Sequence, residues 1–194
     1  MRRAIAGLAA AAVALVATRA GAVEKQHHVG LDPGLAILAI DKKDGPSVGA
    51  GFLAHWTYGL TDAWHVAAEG GWSIVSTGEV RDATVKDSSG KVTALPNNRP
   101  AQIVQGSAGV HYVLDVLRWV PYVGLLATGF GMLGGNLDKP KFVFGMTLAV
   151  GLDYQVTRAF TLGVAIRQHF PFSDFTTYPS FTHVLARAEL VWGW

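Results

Sequence analysis

Beyond residue 27, hydrophobic residues alternate with small or polar ones at a period of two, over stretch after stretch of the chain. Side chains of an extended strand point to opposite faces in turn, so this pattern predicts strands with one greasy and one small or polar face. The last stretch, 182–194, shows it most plainly. Val184, Ala186, Ala188, Leu190, Trp192 and Trp194 share one face, while His183, Leu185, Arg187, Glu189, Val191 and Gly193 share the other.

The same alternation predicts seven further strands. The first, 28–40, sets Val29, Leu31, Leu35 and Ile37 against His28, Gly30, Asp32 and Gly34, but Leu38 and Ile40 blur it. The second, 47–60, and third, 64–76, are clearer, with His55 and Glu69 on the polar faces and Trp56, Tyr58, Trp64 and Trp72 on the greasy ones. The fourth, 101–114, carries Gln105, Ser107 and His111 opposite Val104, Val110 and Tyr112. In the fifth, 121–132, the two faces cannot be told apart. The sixth, 142–154, alternates without a break from Phe142 to Tyr154, with Asp153 on its small face. The seventh, 160–170, sets Phe160, Leu162, Val164 and Ile166 against Thr161, Gly163, Ala165, Arg167 and His169.

Eight strands of this length are each long enough to cross a bilayer at a tilt. Their connections alternate: those after the second, fourth and sixth are short, and those after the first, third, fifth and seventh are longer and more polar. The longest, 77–100, is predicted as a loop with a small hairpin around Ser88, Ser89 and Gly90. Tyr58, Trp64, Tyr112, Tyr154, Phe160, Trp192 and Trp194 all fall near the short-turn end, where they predict an interfacial girdle. The pattern therefore points to an all-β, eight-stranded, antiparallel up-and-down barrel. A soluble ligand-holding barrel of the lipocalin kind would put its bulky residues inside. Here the charged strand residues share faces with glycine and other small residues, so small and polar is predicted to face the lumen, and bulky and apolar to face lipid.

Composition sharpens this reading. The chain is 50% hydrophobic and 15% charged and has no cysteine, so neither a disulfide nor a thiolate metal site can staple it. The opening residues carry Arg2 and Arg3, an apolar run from Ala4 to Ala17, and Ala20-Gly21-Ala22. This is the layout of a secretory signal peptide cleaved after Ala22, with 23–194 as one barrel domain. Cleavage removes three of the 16 Lys and Arg residues, leaving 13 against 14 acidic ones and a formal charge of −1. No basic footprint for nucleic acid remains.

The export signal, the eight alternating strands, the alternating loop lengths and the terminal aromatic together resemble the small outer-membrane β-barrels of Gram-negative bacteria, the OmpA, OmpX and OmpW kind. The segment 151–169, GLDYQVTRAFTLGVAIRQH, is similar to the strand–turn–strand passages of that family. The resemblance implies a monomer in outer-membrane lipid, with short turns in the periplasm and long loops outside. It also implies that the final strand, through Leu190, Trp192 and Trp194, is the signal read by the barrel-assembly machinery. Trp194 stands where Phe is commoner. The chain ends at this strand, so no appended peptidoglycan-binding domain is expected.

Candidate chemistry lies on the lumen-facing ionisable groups His55, Glu69, His111, Asp153, Arg167, Arg187 and Glu189. Unpaired charge in a narrow barrel is costly, so Glu69 and Glu189 are expected to pair with Arg167, Arg187 or histidines. A register pairing 60 with 64 sets His55 opposite Glu69 and suggests a contact between them. These groups read as a polar plug, with a narrow pore or small-solute channel as the alternative. His55, His65 and His111 share the predicted interior face, but no H-x-H or HExxH pattern appears, and neither a metal nor a cofactor is expected. Lipid A-modifying catalysis would need a hydroxyl activated by a histidine that a carboxylate orients. None of His55, His65, His111, His169 or His183 has a Ser two residues on, so the expectation is a non-enzymatic protein. The loop 77–100 is the candidate surface for an extracellular ligand.

Overall fold

The computed structural model describes residues 25–38, 47–76, 84–86, 92–94, 101–114, 116, 118–135, 137, 139–172 and 180–193. The predicted signal peptide, the hairpin tip at 88–90 and Trp194 lie outside them. Ten strands follow in order: β1 (His27–Leu38), β2 (Ser47–Gly59), β3 (Trp64–Val75), β4 (Thr84–Lys86), β5 (Val92–Ala94), β6 (Gln102–Val113), β7 (Trp119–Leu133), β8 (Lys141–Thr157), β9 (Phe160–Pro171) and β10 (Phe181–Trp192).

Eight of them close into an antiparallel barrel in the order β1-β10-β9-β8-β7-β6-β3-β2, and β4 pairs with β5 in a separate hairpin between β3 and β6. Closure leaves the barrel itself without a free edge. Each of the eight predicted strands has its counterpart. β7 begins at Trp119, where a bridge to Val116 tightens the turn. β8 runs through Gln155 and Thr157, where the sequence predicts a turn, and a register shift there absorbs the extra length. The turn between β2 and β3 is held by Thr61, whose Oγ1 accepts hydrogen bonds from the backbone N–H groups of Ala63 (3.3 Å) and Trp64 (3.0 Å).

The seam is where first and last strands meet. β1 pairs with β10 from His27↔Trp192 to Leu31↔Ala188 and again from Gly34↔Leu185 to Leu38↔Phe181. Between the two runs stands Pro33, which has no N–H to give to the ladder.

Alternation decides what each strand buries. Val48, Phe52, Trp56, Val104, Val110, Leu148, Val150, Val164, Ile166, Val184 and Leu190 are all exposed on the outer wall. Trp64 and Trp119 stand at the short-turn end, Trp64 edge-on to Tyr112 and Trp119 tilted against Tyr154 on the next strand. His27 sits among Trp56, Tyr58 and Trp192 at the same end, on the seam. Phe160 is half-buried on that wall as well, at the start of β9. At the long-loop end Phe142 packs edge-on against Phe144, both on the outer wall.

The interior is not simply small and polar, and here the sequence expectation is corrected. Ala36, Leu38, Val75, Ile103, Phe130, Met132, Val143 and Phe181 form a buried apolar cluster inside the barrel at its long-loop end. A second cluster, including Leu53, Leu126, Ala149 and Leu185, lines the wall further down. β7 turns Tyr122, Leu126, Phe130 and Met132 inward and Val123, Leu125 and Ala127 outward. Its two faces read alike because both are apolar.

Candidate functional site

Below the apolar cluster lies a belt of short hydrogen bonds across the barrel. Ser73 Oγ is 2.7 Å from His183 Nε2, and His183 Nδ1 is 2.8 Å from His169 Nε2. His169 Nδ1 is 2.8 Å from Thr147 Oγ1, which is 2.7 Å from Thr128 Oγ1. One proton at each step satisfies the whole row, so five polar side chains from five strands are buried with their partners. The Phe181 ring stacks on His169 at 4.3 Å and covers the row from the loop side. The sequence shows the parity of all of these but Thr128, and not this partnership, because each partner stands on a different strand.

The next level is an ion pair. Arg167 Nε donates to both carboxylate oxygens of Glu69 at 3.1 Å, and Nη2 donates to Oε1 at 2.7 Å. Arg167 Nη1 donates to the Tyr122 hydroxyl at 3.0 Å. The guanidinium is fully buried, a position that costs stability unless its donors are met. Tyr122 has room for its ring because its ladder partner is Gly151, where a Cβ would run into that ring.

Arg187 makes the third level. Its guanidinium lies over the Tyr122 ring at 4.7 Å and donates to Glu189 Oε1. Its Nε is 3.6 Å from Asp32 and from Asp153. His55 completes the group, with Nδ1 3.0 Å from Asp32 and Nε2 2.8 Å from Glu189. His55 and Glu69 are ladder partners, as the register argument has it, yet they engage different groups. His55 turns to Asp32 and Glu189, and Glu69 turns to Arg167. Asp32, which also completes the cluster, is legible only as a lumen-face residue of β1.

At the short-turn end the lumen opens into a cavity of about 60 Å³ of water-accessible space, bordered by His28, His65, His111, Tyr122, Asp153, Arg187 and Glu189. His111 stacks on Tyr122 with its Nε2 4.0 Å from Glu69. His65 and His111 are ladder partners and both border this cavity, whereas His55 is turned to Asp32 and Glu189. Among the described residues, no three His, Asp or Glu side chains form a ready-made metal shell. No described helix is long and apolar enough to cross a membrane, which has no bearing on a barrel.

Leu190 and Trp192 are exposed on the outer wall, and Tyr58, Tyr112 and Tyr154 lie half-buried on the same wall near the short turns. The arrangement has one closed end, filled by hydrocarbon, three levels of paired polar groups, and one end open to water.

Residues 8–182 match the family model described as an outer membrane protein β-barrel domain. Among solved structures, the N-terminal β-barrel domain of Pseudomonas aeruginosa OprF superposes with a TM-score of 0.58 at 11% identity, covering 87% of this chain and 98% of that one. Neisserial surface protein A superposes with a TM-score of 0.56 at 16% identity, covering 88% and 100%. OprG of P. aeruginosa gives 0.53 at 14% identity, covering 88% and 98%. No curated protein sequence matches the chain.

Proposed function

The chain belongs to the outer membrane protein β-barrel domain family, and from that premise we propose a non-enzymatic, monomeric barrel of a Gram-negative outer membrane whose lumen is plugged by its own side chains. In this reading the short turns face the periplasm, and the long connections, with the β4–β5 hairpin, face outside. Its role is structural or one of surface interaction rather than transport.

The observation that carries the reading is the filled lumen. The apolar cluster, the Ser73–Thr128 belt and the Arg167–Glu69 pair lie one below another, each drawing side chains from several strands. An eight-stranded barrel is about wide enough for side chains to fill, so no continuous water path is needed to account for its interior. The hydroxyl–histidine contact of Ser73 argues against catalysis as much as for it. It is buried beneath Phe181, on the lumen side, and its histidine leans on another histidine rather than on a carboxylate.

Planar-bilayer recordings on the refolded protein test this. No conductance steps are expected, for the wild type or for Glu69→Ala. Stable unitary steps in the wild type would replace the plug with the narrow-pore reading, for which the cavity open at one end is the starting point.

The surface-interaction role rests on the 77–100 connection, the longest between barrel strands, which carries β4 and β5. Deleting 80–96 is expected to leave the barrel folded while removing binding to any surface partner. Loss of folding would make the segment structural.

A further inference from the structure

The cavity at the short-turn end combines three features that the plug does not use. The first is charge. Among the described residues of the lumen, the carboxylates Asp32, Glu69, Asp153 and Glu189 face the guanidiniums Arg167 and Arg187. Arg167 is taken up by Glu69, so Arg187 and His55 are left with three carboxylates.

The second is a set of orphaned atoms. Among the described residues, Nε2 of His28 and Nε2 of His65 are buried with no hydrogen-bond partner, and both residues border the cavity. His65 is only 3% exposed, a depth at which an unmet polar atom costs about 1–3 kcal/mol. Asp153 Oδ1 likewise has no hydrogen bond among the described residues, although Arg187 stands nearby.

The third is the geometry of the two rings. The centres of His28 and His65 are 5.6 Å apart, with a 50° angle between planes. Two imidazoles on one tetrahedral metal, with metal–nitrogen bonds of about 2.0–2.1 Å, have ring centres at roughly this separation. The other ring nitrogen of His28, Nδ1, lies 3.5 Å from Glu189 Oε2. A carboxylate behind one imidazole nitrogen, with the other nitrogen free, is the arrangement that fixes the tautomer of metal-binding histidines.

We propose that His28 and His65 form a two-histidine site for a divalent transition-metal cation in the cavity at the short-turn end, with Glu189 orienting His28. The cavity has room for about four waters, enough to complete the ion's shell. Two imidazoles select zinc, copper or nickel over calcium and magnesium, which require oxygen ligands. The orientation proposed above would admit the ion from the periplasm, but the site itself does not depend on it.

The test uses the protein purified from membranes in detergent, with a heat-shifted gel band as the check that each variant is folded. Calorimetric titration with zinc chloride should show one equivalent bound. His28→Gln and His65→Gln should each weaken it by roughly 10-fold or more. His27→Gln, on the outer wall of the same end, should leave it unchanged. With copper in place of zinc, pulsed electron paramagnetic resonance of the wild type should show two coupled imidazole nitrogens, a reading that survives if a variant fails to fold. Absence of zinc binding, binding retained in both variants, or a copper spectrum without a pair of imidazoles would overturn the proposal. Conductance does not enter this test, so failure of the site and failure of the plug are told apart.

Discussion

Arg167 on β9 and Glu69 on β3 meet across the lumen through three hydrogen bonds, 98 residues apart in sequence. Both side chains are almost wholly buried. Such a pair adds little by its presence, but removing one partner leaves a buried charge unmet, at a cost of about 3–5 kcal/mol. Arg167→Met and Glu69→Leu are each expected to lower the stability of the barrel by that amount. The double variant should recover most of it. Urea unfolding in lipid vesicles, run as a double-mutant cycle, measures the coupling.

Tyr122 ties that pair to the next level, because its hydroxyl accepts from Arg167 while its ring lies under Arg187. Tyr122→Phe keeps the ring and removes the acceptor. A hydrogen bond to a charged group contributes about 1.5–3 kcal/mol, and the variant should lose that much in the same unfolding assay.

The outer wall makes a prediction that depends on depth. Val164 lies midway along β9 and is 60% exposed. In a bilayer, Val164→Arg should cost about 2–4 kcal/mol, whereas Val156→Arg, beside a short turn, should cost about 0–1 kcal/mol. Equal costs at the two positions would mean that this wall faces water.

Trp192 is on the outer wall at the end of β10, against His27 of β1. If the last strand is the assembly signal, Trp192→Ala should reduce the amount of folded barrel recovered from cells while refolding from urea into detergent stays efficient. A matching loss in both would assign Trp192 to stability alone.

The barrel was readable because a two-residue period survives in seven of the eight strands that form it. In β2 the residues from Val48 to Trp56 that sequence places outside are exposed, and His55 and Thr57 are buried. The period fails to speak where the lumen itself is apolar. Leu38 blurs the first strand and Phe130 and Met132 blur the fifth, and all three belong to the cluster at the long-loop end. A rule of polar inside and apolar outside has no way to place them. Partnerships were less legible than faces. The register set His55 beside Glu69, yet a side chain inside a narrow barrel reaches across as readily as sideways. The choice of Glu189 for His55 and of Arg167 for Glu69 depends on closure, which brings β10 beside β1 and β9 opposite β3.

The most direct measurement is gel mobility of the protein from an isolated outer-membrane fraction, with and without boiling in detergent. A band that shifts on heating, found in that fraction, is the predicted result, since a closed barrel with a lipid-facing wall resists detergent until heated. An unshifted band recovered from the soluble periplasm would contradict it, and the greasy wall would then need a cover other than lipid.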